Sequence, residues 1–344
     1  MKIFFPIALD NVRSPISTLL REVAVRSPQF EFFGIKKGAH EDDRLCAAEL
    51  EGLDHVSLVS NSVILTKRFD IVHHASASWN NFLCARFLKM RSLGRTRHLF
   101  TANCEAYETH PRRALLGKCA SLADHTVAVS EAVSSSFDDV FGLELDGVIP
   151  NGFAGRDYLD CSSKRNPENT KVLFCSALLD RKQPRLVIAL AKLMPHVDFL
   201  MVGSTFEDRL SQNILTEVEG LPNVVHLGRV GREECRHLME TSLVMIHPSD
   251  FEGLPLSVIE AMATGLPVIA QPKSSLPELI KDQENGFLLP LQDDLSDWVN
   301  TLNEILQWSS QKRIDFGATC SKSVERFTWE KVAEQYQALY QKFA

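Results

Sequence analysis

The stretch FEGLPLSVIEAMATGLPVIA, residues 251–270, decides how the chain is read. It sets two carboxylates, Glu252 and Glu260, at either end of a short apolar turn that opens a helix. Between them Gly253, Leu254, Pro255, Leu256 and Ser257 form a loop whose backbone amides can face a ligand. The first-turn N–H groups of a helix have no intrahelical partner, so an anion at that end is favoured. Two acids eight residues apart, flanking a helix N-terminus, suit a ligand that carries phosphate and hydroxyls together. A nucleotide sugar is such a ligand. The bland alternative for a bare pair of glutamates at this spacing is a solvated helix face.

Outward from that stretch, short apolar runs alternate with segments of helical spacing. Seven strands are expected first, at 2–9, 30–35, 56–60, 70–75, 97–103, 125–130 and 147–152. Segments 14–26 and 79–92 between them carry apolar residues at helical intervals. After the polar stretch CSSKRNPENT (161–170) the pattern restarts, with strands expected at 171–178, 198–204, 223–230, 242–249, 266–271 and 286–291. Such alternation argues for parallel βαβ units in an α/β chain. The restart argues for two Rossmann-like domains, whose ligands bind beyond the carboxyl ends of the strands.

Bulk properties bound the function. The 344 residues fit two domains, and 44% hydrophobic with 24% charged residues describe an ordinary globular composition. No apolar run is long enough for a membrane-spanning helix, and MKIFFPIALD reads as a first buried strand rather than a signal peptide. Eight scattered cysteines without a C-x-x-C pair read as free thiols of a reducing compartment. The net charge of −7 and the lack of a recognition motif argue against nucleic acid. No P-loop, no G-x-G-x-x-G, no metal-ligand spacing and no D-x-D pair occur.

One region runs against the acidic balance. Residues 86–118 hold Arg86, Lys89, Arg91, Arg95, Arg97, Arg112, Arg113 and Lys118 against Glu105 and Glu108. This excess is either a solvated face or an attraction for anionic lipid or a phosphorylated acceptor. Leu83, Phe87 and Met90 share one helical face beside Arg86 and Lys89. They either meet a membrane surface or pack on the sheet, as helices of βαβ units do.

The run 251–270, with TGLPVIA (264–270) and the following NGFLLP (285–290), resembles the E-x7-E signature of retaining glycosyltransferases of the two-domain GT-B fold, family 4 (glycosyl transferases group 1). LADHTVAVSEAV (122–133), VIPNGF (148–153), LFCSALLDRKQPRLVIALAKL (173–193) and FTWEKVAEQYQALYQKF (327–343) extend the likeness, which is weak over the first hundred residues. The resemblance implies a GT-B fold, with two Rossmann-like domains facing a cleft. It implies an acceptor domain 1–155, a nucleotide-sugar donor domain 156–326, and a terminal helix 327–344 packing back on the first domain.

What the likeness implies for residues is specific. Lys182 corresponds to the lysine that neutralises the leaving diphosphate, Glu260 to the acid that accepts from ribose hydroxyls, and Glu252 to the acid beside the transferred sugar. Amides of Gly253 to Ser257 would hold phosphate and sugar oxygens, and Gly228, Arg229 and Val230 the base, with Val230 equally readable as core. Three places depart from the pattern. Ser176-Ala177 stand where a Gly-Arg pair is usual, leaving Arg181 or Arg185 for the second phosphate contact. Asn103 stands where a histidine is usual, and it can hydrogen-bond a hydroxyl without carrying charge. LDNVRSPIS (9–17), with Ser14 as the small residue, replaces a Gly-rich loop. His73 and His74 end a strand and point opposite ways, and a buried, hydrogen-bonded fate is the reading for both.

The expected activity is metal-free, retaining transfer of a hexosyl group from a nucleotide diphosphate sugar, without a further cofactor. The expected acceptor is a glycan or lipid-linked glycan of cell-surface polysaccharide synthesis. The expected place is the cytoplasm, with peripheral contact on the inner membrane face through 83–118. Two other classes stay open: a non-catalytic GT-B subunit that binds a nucleotide sugar or a partner, which Ala177 and Asn103 favour, and a sugar-nucleotide epimerase.

Overall fold

The computed structural model describes residues 1–344 except 12–13, 38–40, 76, 108–109, 163–165, 167 and 344. Parts of the 9–17 loop and of the 161–170 polar stretch, and Glu108, thus lie outside the described residues. The chain divides into two compact units. One comprises Met1–Gly152 with Trp329–Ala344, the other Phe153–Thr328.

Unit 1 is built on strands β1 (Lys2–Ala8), β2 (Glu31–Ile35), β3 (Val56–Val59), β4 (Ile71–His74), β5 (Arg97–Ala102), β6 (His125–Ala128) and β7 (Gly147–Val148). They form one parallel sheet in the order β3-β2-β1-β4-β5-β6-β7. Unit 2 carries β8 (Val172–Cys175), β9 (Phe199–Val202), β10 (Val224–His226), β11 (Val244–His247), β12 (Val268–Ala270) and β13 (Phe287–Leu288). Their order is β10-β9-β8-β11-β12-β13, again all parallel. Every strand expected from the apolar runs is present. β7 is shorter than its expected run because Pro150 has no N–H to continue the ladder. Runs such as IFF in β1 and FLMV in β9 are apolar on consecutive residues because helices cover both faces of a parallel sheet.

Each sheet reverses its strand order once, between β1 and β4 in unit 1 and between β8 and β11 in unit 2. At such a point the loops leave the two central strands in opposite directions and open a crevice at their carboxyl ends.

In unit 1 the helix Trp329–Gln341 packs into the core. Trp329, Tyr336 and Tyr340 are buried with Ile3, Phe5, Phe32 and Ile71. The Tyr340 hydroxyl lies 2.7 Å from His73 Nδ1, and the other ring nitrogen lies 2.8 Å from Thr101 Oγ1. Burial holds His73 well below the usual histidine range and, with the like charges of His98 and Lys89, pushes His74 down to about 3. Both histidines are therefore neutral core residues, but the hydrogen-bonded reading holds for His73 only, since both ring nitrogens of His74 are buried without a partner among the described residues. Gly152 is held against Trp329, whose ring a Cβ there would meet at 2.3 Å.

The helix Trp79–Arg91 of unit 1 buries Phe82, Ala85 and Leu88 and leaves Leu83, Phe87 and Met90 exposed. Packing of the latter three on the sheet is thus corrected: the helix offers the sheet its other apolar stripe.

Candidate active site at the crevice of unit 2

Lys182 and the 251–260 stretch, both marked by the sequence, follow the two strands at the reversal point of the second sheet. β8 ends at Cys175 and leads through Ser176-Ala177 to the turn Asp180–Lys182. β11 ends at His247 and leads to Asp250, Glu252 and the helix Leu256–Ala263. The two loops are stapled together. The Asp250 amide donates to Arg181 O at 2.8 Å, Arg181 Nη1 donates to Phe251 O at 2.9 Å, and Gln183 Nε2 donates to the Asp250 carboxylate. Gln183 closes the turn in the left-handed region, with φ 51°.

Within this frame the Lys182 ammonium is buried and pairs with Glu252 Oε1. His247 Nε2 meets the same oxygen at 2.8 Å. Burial works against ionisation of Glu252. The hydrogen bond and charge of His247 and the charge of Lys182 outweigh it and hold the carboxyl well below the usual range. Burial pushes Lys182 down, against the opposing pull of Glu252. The glutamate is thus held as the anion. The Glu252 backbone is fixed as well, since its N–H donates to Ser274 Oγ at 2.9 Å and its carbonyl accepts from the same hydroxyl at 2.6 Å.

Glu260 stands on the helix that begins at Leu256, whose N-terminus has no side-chain cap. The Tyr158 hydroxyl and the Arg232 guanidinium lie close enough to favour its charged form. Burial nevertheless dominates and raises the carboxyl to about 7, the two partners acting the other way. Two acids eight residues apart are therefore held in opposite states of readiness. Glu252 is locked as an anion, and Glu260 titrates near neutrality.

The remaining expected residues fall as follows. Gly228 ends the β10 segment with φ 69°, a left-handed conformation that favours glycine. Its carbonyl accepts from the Gly203 N–H at 2.9 Å. Arg229 is exposed and Val230 half-buried, so Val230 is not core. Gly203 is needed for another reason: a Cβ there would lie 1.9 Å from Ser176 O, where β9 presses on the turn after β8. Gly253 and Ser257 are half-buried, Leu254 and Pro255 buried, Leu256 half-buried. Of the two arginines left open by the sequence, Arg185 makes an exposed pair with Glu217 at 3.8 Å, while Arg181 lies on the stapled loop. Asn103 lies in unit 1, just past β5, and its Nδ2 donates to Ala75 O and Thr101 O, both at 3.0 Å. Among the described residues no group of three His, Cys, Asp or Glu side chains could hold a metal ion.

Three partners escaped the sequence reading. His247 was legible only as the end of a strand, although it lies five residues before Glu252. Tyr158 and Arg232 lie 102 and 28 residues from Glu260 with no local motif of their own.

Comparison with known proteins agrees with this architecture. Residues 159–319 match the family model of the glycosyl transferases group 1. The chain is 25% identical over 224 residues to D-inositol 3-phosphate glycosyltransferase of Mycobacteroides abscessus, covering 63% of this chain and 49% of the relative. It is 24% identical over 294 residues to the phosphatidylinositol N-acetylglucosaminyltransferase gpi3 subunit of Schizosaccharomyces pombe, covering 82% and 63%. The chain thus spans about half to three-fifths of the length of these relatives. Among solved structures, Anabaena HepE, crystallised with UDP and glucose, superposes with a TM-score of 0.81 at 20% identity, over 99% of this chain and all of that one. The signature residues of 251–270 thus lie at the crevice of the unit whose residues 159–319 match the glycosyl transferases group 1 model.

Proposed function

We propose that the protein is a retaining, metal-independent hexosyltransferase using a nucleotide diphosphate sugar as donor. The observation that carries this reading is the grouping of a buried cation, Lys182, an uncapped helix N-terminus at Leu256, and Glu260 four residues into that helix. Lys182 and Arg181 face the departing diphosphate, and preorganised positive charge of this kind stabilises the leaving group. Glu260 accepts from the ribose hydroxyls, amides of Gly253 to Ser257 meet phosphate and sugar oxygens, and Gly228 to Val230 meet the base. Glu252 lies by the transferred sugar. Clamped by Lys182 and His247, its carboxylate is suited to steadying positive charge on the ring rather than to attacking it. Transfer then proceeds by same-face attack, with a donor phosphate oxygen taking the acceptor proton, which retains the anomeric configuration.

Incubation with a panel of UDP-, GDP- and ADP-sugars tests the reading. Inositol phosphates and lipid-linked glycans are included as acceptors because the two curated relatives carry inositol in their names. Release of nucleoside diphosphate that depends on the acceptor, with an unchanged anomeric coupling by NMR, is the expected result. Release to water alone, or an inverted product, rejects it. The second reading, a non-catalytic nucleotide-sugar binder, is favoured by Ala177 and by the Asn103 amide already tied to two backbone carbonyls. Binding of the donor with no transfer to any acceptor would establish it.

If Glu260 takes the ribose as an anion, nucleotide affinity rises with pH through about 7, because below that value the carboxyl holds a proton. Glu260→Gln is expected to weaken nucleoside diphosphate binding and to flatten this pH dependence, with the fold retained. Calorimetry from pH 6 to 8 decides the matter. A variant with unchanged affinity and slope removes Glu260 from the site.

The acceptor side is proposed to touch a membrane surface. No described helix is long and apolar enough to cross a membrane. Yet Leu83, Phe87, Met90 and Leu93 are exposed along one edge of unit 1, Met90 by 68%, beside exposed Arg86, Arg95 and Arg97. Lys89 and Arg91 serve within the fold instead, bonding Asp124 and backbone carbonyls. Each basic residue near an anionic leaflet contributes about 1 kcal/mol, so the exposed ones give weak, salt-sensitive attachment. Co-sedimentation with anionic vesicles at low salt, lost with neutral vesicles and with Leu83→Ser/Met90→Ser, is the expected result. Equal binding to both vesicle types, or none, contradicts it.

A further inference from the structure

Between the Lys182 loop and Glu260 the crevice contains two thiols that the transfer chemistry does not use. Cys175 is the last residue of β8, and Cys235 lies in the helix Arg232–Glu240. Their sulfurs are 3.4 Å apart, and both residues are half-buried rather than sealed in the core. A disulfide needs about 2.05 Å between sulfurs, so an approach of about 1.4 Å would join them. The pair sits among the charges of the site. Both thiols feel Glu260, and Cys175 also feels Lys182.

The two sulfurs differ in kind from the buried thiols elsewhere. Burial raises Cys84 and Cys119 to about 11, which keeps them protonated and inert. Cys235 is instead lowered, because the Cys175 S–H stabilises its thiolate, burial and Glu260 acting the other way. Cys175 is raised by the same hydrogen bond and by burial. One thiol is thus eased toward ionisation with a second thiol in contact with it.

We propose that Cys175 and Cys235 form a reversible disulfide that switches the crevice off. The proposal rests on the reading of this crevice as the donor site. A small-molecule disulfide such as oxidised glutathione is the oxidant. The Cys235 thiolate attacks one of its sulfurs, its S–S bond breaks, and one glutathione leaves as thiolate to take up a proton. Cys175 then gives up its proton and its sulfur attacks Cys235 Sγ, expelling the second glutathione. In total two electrons and two protons pass from the cysteine pair to the oxidant. The new bond draws the helix that begins with Arg232 toward the end of β8, one residue before the turn that leads to Lys182. The two displaced elements adjoin proposed donor contacts, at 181–182 and 228–230, and misplacement of such groups by about 1 Å costs up to about a hundredfold.

The test equilibrates wild type and Cys235→Ser with graded mixtures of reduced and oxidised glutathione, followed by acid quench, alkylation and peptide mass mapping. Nucleoside diphosphate binding is measured by calorimetry on the same samples. A linked peptide joining residues 175 and 235, two hydrogens lighter than the reduced pair, is expected, with affinity at least about tenfold weaker and restored by dithiothreitol. Cys235→Ser should bind as reduced wild type in every mixture. Alkylation of both thiols throughout, or a linked protein that binds as tightly as the reduced one, overturns the proposal. A linked peptide in a protein whose reduced form binds no nucleotide instead rejects the donor-site reading and leaves the bond standing.

Discussion

Replacing Lys182 by alanine is expected to lower transfer by about 10²–10³-fold, the range seen when one preorganised group facing developing charge is removed. The ammonium is buried in a crevice where little water can take its place, so its loss is not made good by solvent. The neighbouring guanidinium of Arg181 is fixed by its bond to Phe251 O and stays available on the same loop. For that reason Ala177→Arg, which supplies the family's missing cation, should change donor affinity by less than about threefold. Initial rates over a range of donor concentrations up to saturation check both statements. Normal turnover in Lys182→Ala removes the lysine from the reaction, and a large gain in Ala177→Arg shows that Arg181 does not fill the second position.

Replacing Glu252 by alanine should damage both stability and rate. It leaves the Lys182 ammonium and the His247 ring facing each other without the carboxylate that both bond. Removing one partner of a buried pair costs about 3–5 kcal/mol, because the other charge stays buried and uncompensated. Glu252→Gln separates the two effects, since it keeps the shape and loses the charge. The pH dependence has a definite sign. The Glu252 carboxyl is held below its ordinary value, so its contribution to stability is present above the usual carboxylate range and lost as pH falls through the folded value. Between pH 7 and 3 the melting temperature of wild type should therefore fall toward that of Glu252→Gln. A gap between the two proteins that stays constant down to pH 3 would show that the pair carries no linkage.

The architecture was legible because strands buried on both faces write themselves as short apolar runs. KIFFPIA, DFLMV and LVMIH leave little else for those segments to be. Strand order is not written that way. The crevice exists because β8 lies between β9 and β11, a pairing between segments some seventy residues apart. The same limit hid the partners of the acids. Glu252 and Glu260 announce themselves in one stretch, whereas Lys182 reaches Glu252 across 70 residues and Tyr158 reaches Glu260 across 102. The resemblance turns Lys182 toward a phosphate and Glu252 toward a sugar, and the structure adds that the two bond each other. A ligand must therefore compete for that lysine with a carboxylate that is already close.

The helix Trp79–Arg91 marks the other limit. Phe82, Ala85 and Leu88 recur at helical spacing, and so do Leu83, Phe87 and Met90, so periodicity alone offers two candidate inner faces. Only the neighbouring strands decide between them. They take the first set and leave the second to solvent.

The central claim is that a nucleoside diphosphate occupies the crevice between the ends of β8 and β11. Hydrogen–deuterium exchange with and without saturating nucleoside diphosphate locates it directly. Slower exchange confined to segments 176–183, 228–232 and 251–260 is the predicted result, because those backbones line the ends of β8, β10 and β11. Protection elsewhere in the chain with these three segments unchanged would contradict the account.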